Sequence, residues 1–199
     1  MRRTLLALSL ALPVSQSLSA EEHSHASLDA HEHGVASLNL VVDGNLVSLE
    51  LDSPAANLVG FEHQPSSDED RATIARVKAT LERADSLFSF TADAGCALQQ
   101  VDLHSPLFEQ HAPAEEHEHE HEHEHEHEHD DHHEHEHGEH ADIEGRFDFA
   151  CSAPDKLEAL TLPLFNSFPA LQRLQVQTIT ASGQHGALLT ADNPSLPMD

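Results

Sequence analysis

"VASLNLVVDGNLVSLEL", residues 35–51, is the stretch whose period decides the fold of this chain. Val35, Ser37, Asn39 and Val41 alternate with Ala36, Leu38, Leu40 and Val42, a repeat of two that sends one set to each face of a strand. Asp43, Gly44 and Asn45 break it with turn residues, and a second apolar run follows. The stretch reads as a β-hairpin with one face buried.

Downstream, "DSPAANLVGFEHQP" (residues 52–65) reads as an irregular connection, because Pro54, Gly60 and Pro65 all oppose regular structure. From Ser67 to Leu87 the period changes. Ile74, Val77, Leu81, Ala84 and Leu87 or Phe88 fall at helical spacing, Ser67 or Asp68 can cap the start, and Asp68, Glu69 and Asp70 suit the positive end of the helix dipole. This is the one long helix. Short strands are predicted over 88–91, 97–103 and 145–151, where Phe147, Phe149 and Cys151 share a face. Residues 157–162, 171–180 and 183–190 are further strand candidates, 165–169 a turn or short helix, and 192–199 a frayed tail. The expected architecture is α+β: a small single domain of antiparallel strands with one long helix packed on it.

The N-terminus speaks to location. "MRRTLLALSLALPVSQSLSA" has two arginines, an apolar stretch from Leu5 to Val14, then small residues. That is the layout of a secretory signal peptide over residues 1–20, with cleavage after Ala20 or after Ser19. The apolar run is roughly half the ~18 residues that a membrane span needs, and no later segment is apolar enough to serve as an anchor. The expected mature chain, residues 21–199, is a soluble periplasmic monomer.

The formal net charge of −27 excludes nucleic-acid binding, which is built on Lys and Arg neutralising phosphates, and favours cations as ligands. Two cysteines, Cys96 and Cys151, form an even pair in an exported chain, which favours a disulfide over a two-Cys metal site. They bracket a segment unlike the rest.

That segment, residues 115–140, is "EEHEHEHEHEHEHEHDDHHEHEHGEH". Apart from Gly138 it consists of thirteen carboxylates and twelve of the chain's 20 histidines: His117, His119, His121, His123, His125, His127, His129, His132, His133, His135, His137 and His140. Imidazole suits zinc, copper and nickel, and zinc accepts four His, Asp, Glu or Cys ligands in tetrahedral geometry. An alternating His/Glu run satisfies that in many equivalent ways, so it should collect several Zn2+ ions, and Cu2+ or Ni2+ as well, and exchange them quickly. With no apolar side chain to offset ordering entropy, the insert at about 111–142 is expected to be disordered without metal. Its formal H-E-x-x-H matches, such as His117–His121, do not indicate a peptidase. That motif needs a helix docked in a cleft, and this repeat has no apolar face to dock. No general acid/base constellation or substrate cleft is visible, so the chain is not expected to be an enzyme.

A smaller constellation lies outside the tract. His31 and His33 in "HEHG" stand at i and i+2, on one face of an extended segment, and His63 in "GFEH" can return to the same spot. A fourth position is open to water, to a carboxylate such as Glu62, or to His185 in "GQHG". His104 and His111 extend the foot of the tract.

"HEHGVASLNLVVDGN", "LDSPAANLVGFEH", the cysteine before the insert and "FDFAC" after it resemble the ZrgA family of bacterial periplasmic zinc-uptake proteins. The resemblance spans most of the mature chain, and SPAAN-x-x-GFEH is its most specific part. It implies a zinc-regulated protein that captures zinc and assists a high-affinity ABC-type importer in scarcity. It places the fixed site at His31, His33 and His63. The competing expectation is a periplasmic buffer against excess zinc, copper or nickel.

Overall fold

The alternation of the opening stretch builds β1 (Val35–Asp43) and β2 (Leu46–Pro54), paired antiparallel from Asp43 opposite Leu46 to Ser37 opposite Asp52. Gly44 turns between them at φ 60°, the left-handed conformation that favours glycine. Ala36, Leu38 and Leu40 of β1 and Val47, Leu49 and Leu51 of β2 are buried, while Asn39 and Glu50 face solvent. Each fully buried Leu contributes about 1.5–3 kcal/mol over an exposed one, so a slip of one residue would forfeit the whole face. The computed structural model describes residues 32–109 and 140–198, within the unit His31–Asp199.

Helix α1 (Asp68–Leu81) starts on a capping box, in which the Ser67 side chain accepts from the Asp70 N–H and Asp70 accepts from the Ser67 N–H. It ends earlier than its apolar spacing suggested. Arg83 leaves the helical region (φ −97°, ψ 53°), and a 3-10 turn, Ala84–Ser86, carries Ala84, Leu87 and Phe88 into the core instead. The remaining elements are β3 (Ser89–Phe90), β4 (Cys96–His104), β5 (Asp142–Cys151), β6 (Ala159–Thr161), α2 (Leu164–Ser167), β7 (Arg173–Thr180), β8 (Gly183–Thr190) and β9 (Ser195–Pro197).

The architecture among the described residues is mostly β, with few helices. A six-stranded sheet runs β4-β5-β2-β1-β7-β8, and a three-stranded one runs β3-β6-β9. All pairs are antiparallel except β1 with β7, which is parallel, a departure from the all-antiparallel expectation. One core cluster joins the sheets and α1, with Phe147 and Phe149 of β5 against Phe88 at centroid distances of 5.0 and 6.4 Å. The predicted frayed tail is instead β9. It pairs with β6, and Leu196 is 5 % exposed, so one buried leucine between prolines docks the C-terminal segment.

Strands β4 and β5 form the hairpin that carries the insert, with His104 opposite Glu144 at the insert's end. The folded chain resumes earlier than predicted, since Ala141 is 3 % exposed and β5 begins at Asp142. Cys96 and Cys151 face each other at the other end of this hairpin and form a disulfide, roughly 25 Å from the insert at ~3.4 Å per residue. The bridge therefore clamps the base of the hairpin and not the two feet of the insert, which strand pairing brings together. A Cys96→Ser/Cys151→Ser variant is expected to lose about 2–5 kcal/mol of stability, read from denaturant midpoints. An unchanged midpoint would mean that strand pairing alone holds β4 and β5. The predicted signal peptide, His31, the disorder of the insert and the tract histidines from His117 to His137 lie outside the described residues.

Candidate metal centre

Three chain segments meet beside the start of β1. The first is the turn before that strand. Gly34 sits there at φ +86°, and its carbonyl accepts from the Gln172 and Arg173 N–H groups, so the β7 end holds the turn from one side. His33 is the residue that this turn presents outward. Glu32 is engaged separately, in an ion pair with Arg173.

The second segment descends from β2 through a 3-10 turn, Ala55–Asn57, to Glu62. Phe61 and His63 stack on one another at 4.7 Å, and Glu62 between them reaches the histidines. The third is the chain entering β5. Register places Pro54 opposite Asp142, and the Ala55 N–H donates to the Ala141 carbonyl at 2.9 Å, which brings His140 alongside.

Glu62 is the meeting point. Its Oε1 accepts from His33 Nε2 at 2.9 Å and its Oε2 from His140 Nδ1 at 2.5 Å. The Glu62 side chain is only 11 % exposed, whereas both histidines are 66 % exposed. Burial works to raise the Glu62 pKa, but the hydrogen bond from His140, with the charge and hydrogen bond of His33, outweighs it and holds the carboxyl below its ordinary value. A depressed folded pKa contributes stability that is present above the ordinary Glu range near ~4.3 and is lost as pH falls through the folded value.

Two imidazoles on one carboxylate are chemically a proton-filled version of a His2Glu ligand set. Zinc entering between them requires the proton on each facing nitrogen to leave or to move to the other ring nitrogen, after which N and O donors face the ion. Among the described residues no three His, Cys, Asp or Glu side chains already converge as a metal-holding group, so an ion bound here would have to draw the three side chains together. The exposed histidines have room for that movement.

Protons compete with zinc for imidazole nitrogen, so acidification should convert the ligand set back into the ion-paired form. Zinc release is therefore expected between about pH 7 and pH 5, measurable by a chromogenic zinc indicator. Retention well below pH 5 would point to carboxylates alone.

The other candidates are placed differently. The His63 Nδ1–H donates to the Gln64 carbonyl at 2.9 Å, which leaves the lone pair on Nε2, and the ring contacts Phe61 instead of the Glu62 pair. His185 pairs with Thr178, which stands beside Leu40 of β1, roughly 20 Å along the sheet from His33 at ~3.3 Å per residue. His104, Glu109, Asp142, Glu144 and Lys78 line a cavity of about 630 Å³ that His140 also borders, at the foot of the insert. His140 was visible in the sequence only as the last of many tract histidines. What sets it apart is its place two residues before the first residue of β5.

A family model described as ZrgA family zinc uptake protein matches residues 30–198, most of the chain, and the chain belongs to that family. No curated protein matches it.

Proposed function

We propose that this member of the zinc-uptake family is an exported zinc-binding protein that captures the ion and assists an ABC-type importer. The observation that carries the reading is Glu62, a nearly buried carboxylate that gathers one histidine from the N-terminal turn and one from the insert's C-terminal foot. Zinc is the cargo, held by His33, Glu62 and His140, with water or a neighbouring donor completing four-coordination. His31, two residues before His33, is the further imidazole nearest to it in sequence. The His/Glu tract collects ions, Cu2+ and Ni2+ among them, and raises their local concentration beside this site. The role needs no catalysis, and we assign no enzymatic activity. The chain acts as a periplasmic monomer after removal of residues 1–20, and no helix among the described residues is long and apolar enough to cross a membrane.

The test is growth with zinc withheld. A strain lacking the protein is expected to need more zinc, with no added defect when the importer is also deleted. A defect confined to zinc, copper or nickel excess would instead support the buffering role, which the capacity of the tract also suits.

A further inference from the structure

We infer that Asn57 is the positioning residue of the site at Glu62, an inference that rests on reading His33 as a zinc ligand. Asn57 is 2 % exposed, and a buried amide must find partners. It finds three. Its Oδ1 accepts from the Gly34 N–H at 2.6 Å, and its Nδ2 donates to the Val35 carbonyl at 2.8 Å and to Ser53 Oγ at 3.2 Å.

Two of those partners are backbone groups of the two residues that follow His33. Asn57 thus grips the turn from below while the Gln172 and Arg173 N–H groups grip the Gly34 carbonyl from the β7 side. These two holds, with the Val35 N–H that donates to the Glu32 carbonyl across the turn, set the direction of the chain at His33. The His33 side chain, 66 % exposed, has little packing of its own to place it.

The 3-10 turn that holds Asn57 also controls the other two ligands. The Leu58 and Val59 N–H groups donate to the Ala55 carbonyl and the Gly60 N–H to Ala56, fixing the start of the segment that ends on Glu62. The Ala55 N–H holds Ala141, next to His140. One short turn therefore references three segments that are far apart in sequence. Asn57 is its only side-chain hydrogen-bond link to the His33 segment among the described residues. Asp cannot replace it, because an oxygen would face the Val35 carbonyl where Nδ2 now donates.

The test measures zinc affinity of the full chain by competition with a tight chelator, so that only the tightest site reports. Asn57→Ser is expected to weaken zinc by roughly 10–100-fold, the range for partners that orient metal ligands. In a His33→Ala background the same change should add nothing, because there is no longer a ligand for Asn57 to place. Thr178→Val removes a buried hydroxyl at the other end of β1, away from the His33 turn and from Asn57, and should leave zinc affinity unchanged. If Asn57→Ser does not fold, Gly34→Ala strains the same turn at φ +86°, with its Cβ 3.2 Å from the Gln172 side chain, and should weaken zinc likewise. Asn57→Ser without effect while His33→Ala weakens zinc overturns the positioning role and leaves the site standing. Equal losses with and without His33, or the same loss from Thr178→Val, show general loosening and also overturn it. His33→Ala without effect overturns the site itself.

Discussion

Replacing His33, Glu62 and His140 together with alanine is expected to remove tight zinc binding, lowering the affinity of the best site by at least about a thousandfold, or ~4 kcal/mol. The size follows from what each contributes. On the proposed reading the two imidazoles are the nitrogen donors, and Glu62 is both an anionic oxygen ligand and the acceptor that holds the two rings in place before metal arrives. Glu62→Gln alone should show a large part of the loss, since it keeps the shape but removes the charge that draws both rings to one point. His185→Ala should change nothing, because the sheet register places it at the other end of β1. His63→Ala should have a small effect, its ring being committed to Phe61 and the Gln64 carbonyl. The tract would mask these differences, so affinity must be read by chelator competition at low free zinc. Undiminished tight binding in the triple variant would move the site elsewhere, with the cavity at His104, Glu109 and Glu144 as the next place to look.

How far the sequence reveals this site depends on how local each signal is. The β1–β2 hairpin, the Ser67 cap and the inward face of Phe147 and Phe149 rest on neighbours within a few residues, and the structure contains all three. The parallel pairing of β1 with β7 joins residues some 138 apart, Val35 with Arg173, and carries no short-range mark. Strand β9 is three residues with a single buried leucine, too short for a period to show. The helix end was obscured because the 3-10 turn after it keeps the apolar spacing going through Leu87. The same distinction governs the metal centre. His33 and Glu62 lie in stretches with recognisable motifs and were legible as neighbours. His140 was hidden by its own company, since a repeat of identical dipeptides gives no reason to single out one member. Only the β2–β5 register, Pro54 opposite Asp142, separates it from the rest.

That separation makes a sharp prediction about the tract. Deleting residues 115–139 removes eleven of its histidines but keeps His140, and should reduce the zinc bound from several ions to one tight equivalent. At four ligands per ion, eleven imidazoles with their carboxylates can hold on the order of three or more ions, so the loss in stoichiometry is large. The fold should survive. The β4–β5 pairing closes the hairpin at His104 opposite Glu144, and residues 110–114 remain as a connection able to span roughly 17 Å. A shorter loop costs less closure entropy, so stability should stay level or rise by roughly 1–2 kcal/mol. Extending the deletion by one residue, to 115–140, is the critical comparison. A tract that only collects ions would not notice the loss of one more histidine in twelve. A tract whose last histidine belongs to the fixed site should lose its remaining tight equivalent at that step, with circular dichroism unchanged between the two deletions. Equal tight binding in both would show that His140 is an ordinary tract residue and that its contact with Glu62 serves only the metal-free form.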